Sequence, residues 1–196
     1  MQEPKIETLT PLAKTPYLSL YDAAYKNRKG QAKHWMIASR KSEESLVNQY
    51  FHQGEEKTDA VVIIAIHEET RKLALIKQFR IPLNDFIYEL PAGLIDAGES
   101  VESTIGRELK EETGLTLCEV KDIQDKLYLS AGMTDESVAL VRCTCTGEVC
   151  TDYLEADETI EPFMVSKEEA KDILKSGVKL DIKTYLVLQR FIEDLL

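Results

Sequence analysis

Residues 93–115, GLIDAGESVESTIGRELKEETGL, decide how this chain folds and where its chemistry lies. Glu108, Glu111 and Glu112 stand three and four residues apart, so a helix projects all three carboxylates within a narrow arc of one face. Ile105 and Leu109 fall one turn apart on the face that packs inward, and Gly114 supplies the left-handed stop that helix ends favour. The spacing predicts a loop, then a helix whose regular part starts at Ser103 or Thr104. Like charges on one face repel. A hard divalent cation removes that cost, and Mg²⁺ in particular takes carboxylate oxygens together with water and phosphate. Arg107, one turn from Glu111, is placed to orient it, and Glu99 in the loop is placed to brace Arg107 or a water. Gly93 lets the backbone pass close to bound ions, which makes the Ala92 carbonyl a candidate ligand.

Composition narrows the remaining choices. Among 196 residues, 35 acidic side chains face 24 basic ones, for a formal charge of -11, and no lysine or arginine block concentrates the positive minority. That balance argues against a duplex DNA or RNA binder, because phosphate backbones reward clustered positive charge. An anionic substrate needs divalent cations to offset the same imbalance. The longest apolar run, Ala60 to Ile66, is too short to span a bilayer, and no basic stretch leads into an apolar one at the N-terminus. A soluble cytoplasmic protein that engages neither membrane nor nucleic acid is expected. Cys118, Cys143, Cys145 and Cys150 lack CxxC pairing and read as buried reduced thiols.

From Lys5 to about Arg40 the pattern alternates as two or three short antiparallel strands, a sheet too small to stand alone. A β module over residues 1–45 is expected, followed by a catalytic domain over 46–196, with polar Lys41 to Asp59 as linker. Asp59 to Ile66 and Lys72 to Phe79 suggest a core hairpin, and Phe86 to Leu90 a further strand. Lys126 to Ser130, Ser137 to Cys145 and Thr159 to Val165 also read as strands. Ser166 with Glu169 forms a capping box for a helix ending near Gly177. Asp181 opens a last helix whose Tyr185, Leu186, Leu188, Phe191 and Ile192 are expected to pack on the sheet. The class is α+β, a mixed sheet between helices with a small N-terminal antiparallel sheet.

Gly93, Glu99, Arg107, Glu108, Leu109, Glu111, Glu112, Gly114 and Leu115 together resemble the signature of the Nudix hydrolases. The similarity runs from about Trp35 to the C-terminus, and Lys77 to Pro82 with Glu89 to Asp96 resemble the ADP-ribose and nucleotide-sugar pyrophosphatase branch. The resemblance implies Nudix-fold architecture and Mg²⁺-dependent hydrolysis, with Mn²⁺ as the alternative ion. The substrate it implies is a nucleoside diphosphate sugar, foremost ADP-ribose cleaved to AMP and ribose 5-phosphate. Glu108, Glu111, Glu112 and Ala92 then hold metal, with Glu111 and Arg107 also in the catalytic set. It implies that Arg80 holds phosphate, as a planar bidentate donor does, with Glu89 nearby. Trp35 and Arg40 resemble the strand that crosses a domain-swapped homodimer, the ring stacking on adenine and the arginine touching phosphate; a core position for Trp35 is the competing reading. The acidic loop at 155–161 resembles the one that supplies the general base, with Glu158 the match and Asp157 the second choice. One position departs from pattern: Ala131 stands where ADP-ribose enzymes of the family commonly carry proline, which keeps ADP-glucose, GDP-mannose and UDP-glucose open as substrates. A nucleotide-sugar sensor is the rival from another class, and the intact carboxylates speak against it.

Overall fold

The computed structural model describes residues 3–196, so the first two residues of the expected 1–45 module lie outside the described residues. Two compact units form. The first comprises the chain up to Asp59 together with Lys126–Val138, and the second Ala60–Asp125 with Ala139–Leu196.

In the first unit, β1 (Ile6–Lys14), β2 (Ser19–Lys26) and β3 (Ala32–Ser39) make an antiparallel sheet in that order. Tyr21 and Ala23, two residues apart on β2, are its buried face. The stretch expected as a linker contains α1 (Glu43–Phe51) instead. Ser42 caps it by accepting the Ser45 N–H at 3.2 Å, Glu43 and Glu44 favour its positive end, and Leu46 is fully buried. One buried anchor in a polar helix leaves almost no hydrophobic period, which is why the sequence reads as linker. The Lys41 ammonium is 3.0 Å from both Asp59 and Asp135, tying the segments of this unit together past residue 45.

In the second unit β4 (Ala60–His67) is buried along its whole length, as a strand covered on both faces must be. With β5 (Leu73–Arg80), β6 (Asp85–Glu89), β7 (Ala92–Leu94), β8 (Thr116–Tyr128), β9 (Ser137–Thr146) and β10 (Ile160–Val165) it belongs to a seven-stranded sheet, ordered β10-β5-β4-β9-β8, with β6 on β5 and β7 on β4. The Asp59 N–H bonds the Ser137 carbonyl at one end of the β4 and β9 pair, and Glu68 N–H bonds that of Cys145 at the other. Partners that climb together define parallel strands, whereas β4 with β5, β5 with β10, β5 with β6 and β4 with β7 are antiparallel. The sheet is therefore mixed, as expected.

The hairpin of β4 and β5 pairs at Ile66 and Leu73, after which the two strands diverge. β6 and β7 fill the wedge, and Ile63 N–H holds the Pro91 carbonyl at 2.8 Å. This turn delivers Ala92 and Gly93 to the face covered by α2 (Val101–Thr113). Val61, Ile63 and Ala65 of β4, Ala74 of β5, and Val141, Cys143 and Cys145 of β9 meet Ile105 and Leu109 of α2 in one dry cluster. Removing such an anchor, as in Leu109→Ala, costs about 2–5 kcal/mol.

Three expectations are corrected. α2 starts at Val101 because Ser100 and Ser103 cap each other's backbone, ahead of the predicted start. β8 begins at Thr116, ten residues before the predicted Lys126, since its largely exposed and charged side chains hide the strand pattern. In α4 (Ile182–Ile192), which lies against β6 and α3 (Lys167–Lys175), the buried stripe is Thr184, Val187, Leu188 and Phe191, while Tyr185 and Leu186 are exposed.

Candidate active site

The α2 face that the sequence singles out is a buried electrostatic assembly. Glu108 is 7% exposed and Glu112 2%, unusual burial for carboxylates. Burial pushes Glu108 up to about 7 despite the adjacent Arg107, and pushes Glu112 well above the carboxylate range although Ala92 N–H donates to it. The charge of Glu158 adds to both shifts, which places that loop residue within electrostatic reach of the pair. Arg80 acts on Glu112 in the opposite sense.

Arg107 organises the cluster. Its Nη1 donates to Glu108 at 2.8 Å and to Glu111 at 2.9 Å, its Nη2 to Glu99 at 2.8 Å and to the Leu94 carbonyl at 3.0 Å. Bonding to Arg107, reinforced by Thr104, holds Glu99 down to about 2, and the same bond raises Arg107 further above its ordinary range. The arginine is thus a permanent cation bonded to three carboxylates at once. It does not exchange protons.

Gly93 is required for close approach. A Cβ there would lie 1.9 Å from the Glu108 carboxyl carbon, inside its van der Waals surface. Ala92 contributes its N–H, 2.8 Å from Glu112 Oε2, a contact that sequence reasoning about the Ala92 carbonyl misses because a backbone amide leaves no residue-type signal. At the helix end Gly114 has φ 76°, and the Cys150 segment packs against it so closely that a Cβ would stand 2.4 Å from the sulfur.

The donor set suits a hard divalent ion: buried carboxylate oxygens in excess of the local positive charge, with backbone brought alongside by a glycine. Among the described residues no three carboxylate, imidazole or thiolate side chains converge into a ready-made cage; Arg107 and Ala92 N–H occupy the oxygens instead.

Arg80 Nε donates to Glu89 at 2.6 Å, and its terminal nitrogens carry no hydrogen bond among the described residues. Glu158 accepts the Glu155 N–H at 3.0 Å, which bends the acidic loop. The second unit thereby gathers Arg80, Glu89, Ala92, Arg107, Glu108, Glu111, Glu112 and Glu158.

Trp35 and Arg40 belong to the first unit. Trp35 is 52% exposed, which rules out the core position, and its indole N–H donates to the Gly132 carbonyl at 3.0 Å. It lines a cavity of about 350 Å³ with Gln49, Tyr50, Tyr128, Ala131 and Asp135. Arg40 donates to Glu136 at 2.7 Å. Cys143 and Cys145 are buried as expected; Cys118 is exposed, and none of the four cysteines is in a disulfide. No helix among the described residues is long and apolar enough to cross a membrane.

Comparison with known proteins agrees with this geometry. The NUDIX domain profile matches residues 56–185. A putative nudix hydrolase 2 of Caenorhabditis elegans is 39% identical over 58% of this chain, and the chain spans about half of that relative, 54% of its length. An ADP-ribose pyrophosphatase of Bacillus subtilis (strain 168) is 36% identical over 66% of this chain and 70% of its own. A crystal structure of an ADP compounds hydrolase, only 16% identical, superimposes with a TM-score of 0.72 over 99% of this chain and 94% of that one, which is a likeness of fold. With the signature on α2, the profile covering most of the chain and the Bacillus relative above, the chain belongs to the Nudix hydrolase family, in its ADP-ribose and nucleotide-sugar pyrophosphatase branch.

Proposed function

We propose that the chain hydrolyses the pyrophosphate of a nucleoside diphosphate sugar in the presence of Mg²⁺, with ADP-ribose, cleaved to AMP and ribose 5-phosphate, as the preferred substrate. The observation that carries this reading is the pair of buried carboxylates, Glu108 and Glu112, set under Gly93 with raised affinity for protons. Such a pair is poorly stabilised by the protein alone, and a divalent ion supplies what it lacks. Relatives named ADP-ribose pyrophosphatase and, in mouse, ADP-sugar pyrophosphatase support the substrate class.

In this reading Glu108, Glu111, Glu112 and the Ala92 carbonyl hold the metal. When bound, the metal neutralises charge on the diphosphate and lowers the pKa of the attacking water. Arg107 keeps the carboxylates aligned, Arg80 leaves Glu89 to clamp phosphate through its free terminal nitrogens, and Glu158 accepts the proton of the water. Trp35 stacks on the base and Arg40 touches phosphate. The chain acts as a homodimer with swapped N-terminal strands; exposed Leu12, Leu18, Leu20, Trp35 and Met36 on or beside the three-stranded sheet support an interface there. Free cysteines fit a cytoplasmic setting.

A product assay with ADP-ribose, ADP-glucose, GDP-mannose and UDP-glucose in Mg²⁺ tests the proposal. ADP-ribose should give the highest kcat/KM, with AMP released. Because Ala131 replaces a proline of the resembling loop, a preference for another of the four would move the substrate assignment while keeping the reaction. No turnover of any of them would refute the reading.

A further inference from the structure

Gln78 on β5 carries a buried carboxamide oxygen with no hydrogen-bond partner. Alternate residues of a strand share a face, and so do residues opposite each other on antiparallel strands. Ala74 belongs to the cluster under α2 and lies opposite Met164, which packs on the same cluster. Gln78 is therefore on the α2 face too, between Ile87 of β6 and Ile160 of β10.

The neighbouring ion pair explains its burial. Arg80 stands opposite Asp85 and Glu89 opposite Ile76, yet Arg80 Nε and Glu89 Oε2 meet at 2.6 Å. The bridge runs back along the two strands and passes over the Gln78 and Ile87 pair between them. Beside Gln78, the Phe79 N–H holds the Thr159 carbonyl at 3.1 Å, fixing the adjoining residue of Glu158 to β5. An orphaned acceptor thus lies beneath a salt bridge and next to the acidic loop. Arg80 offers donors, but its Nε is given to Glu89 and none of its nitrogens bonds the Gln78 oxygen; the carboxylates offer acceptors. What the Gln78 oxygen lacks is a donor, and a water at the site supplies one.

We propose that Gln78 is a further catalytic residue, accepting one hydrogen bond from the attacking water while Glu158 accepts the other. This inference rests on the hydrolytic reading of the same site. A water that donates both protons turns a lone pair toward phosphorus. Its oxygen bonds to phosphorus, the bridging P–O bond breaks with its electron pair leaving on the departing phosphate, and one proton passes to Glu158. The second proton stays on the new P–O group, directed at Gln78. Transfer of Arg80 from Glu89 to phosphate uncovers Gln78, so the acceptor becomes available when substrate is bound.

Gln78→Leu removes both polar atoms at similar size, and Gln78→Met conserves volume if the branched side chain does not fold. Either variant should keep its Tm and its Kd for a non-hydrolysable α,β-methylene diphosphate analogue, while kcat on the best nucleotide sugar falls about 10- to 100-fold, the scale of a misplaced nucleophile. An unchanged kcat would overturn the assignment, as would a loss of analogue affinity equal to the loss of kcat/KM, which would make Gln78 a substrate-binding group. Wild-type protein run alongside separates the two levels: no wild-type turnover sinks the hydrolytic reading and this inference with it, whereas normal turnover in both wild type and variant sinks only the role of Gln78.

Discussion

The carboxylate face of α2 and the Trp35 cavity are built on opposite principles. On α2 Glu108 and Glu112 are buried and Glu111 half-buried, spaced by helical geometry, and Arg107 and Ala92 N–H restrain their oxygens before any ligand arrives. Around Trp35 an aromatic ring stands half exposed above a cavity whose half-buried Gln49 and Asp135 each keep one buried, unpartnered oxygen. Rigid charge placement suits a chemical step, and an open aromatic wall suits recognition of a flat group. Damage to the first region should therefore appear in kcat and damage to the second in KM.

The strongest way to break that contrast is Glu112→Gln. The glutamine oxygen still accepts from Ala92 N–H, so the fold survives while the charge is lost; kcat should fall by about 10³-fold or more, on the scale of an electrostatic catalytic group. Near-normal turnover would remove α2 from the chemistry. Glu158→Gln should cost about 10²-fold in kcat, as general-base removal does, with Asp157→Asn far milder. Equal losses in the two variants would leave the base unassigned. Trp35→Ala should raise KM for purine substrates about tenfold with little change in kcat, the expected size of one lost stacking contact. An unchanged KM would separate Trp35 from the substrate.

The smallest expected effect concerns pH. Glu108 has a folded pKa raised to about 7 from an ordinary 4.5, so without metal the folded state binds more protons than the unfolded one inside that window. Metal-free protein should lose stability as pH rises from about 5 to about 8, and Mg²⁺ should raise Tm more at the upper end. A metal-free Tm that climbs over the same range would contradict the burial argument. Glu108→Gln should flatten the dependence.

How much of this was legible from sequence follows from the same physics. The carboxylates, Arg107, Gly93 and Gly114 share one short segment, so helical spacing alone predicts their common face. Strands β4 and β9 announce themselves by apolar runs. α1 escapes because Leu46 is its lone buried residue, and the early half of β8 escapes because exposed charges mask its period. The bridge of Arg80 over Gln78 depends on cross-strand register, and the Ala92 N–H contact depends on the wedge of β6 and β7 between diverging strands. Neither is encoded in local spacing.

If the buried α2 carboxylates hold divalent ions, direct ion binding reads it without reference to substrate. Electron paramagnetic resonance of Mn²⁺ titrated into wild-type, Glu112→Gln and Glu108→Gln protein at neutral pH reads the bound fraction. Wild type should take up Mn²⁺ in competition with Mg²⁺, and either substitution should weaken uptake at least tenfold. Equal uptake by all three proteins would contradict metal binding by these carboxylates.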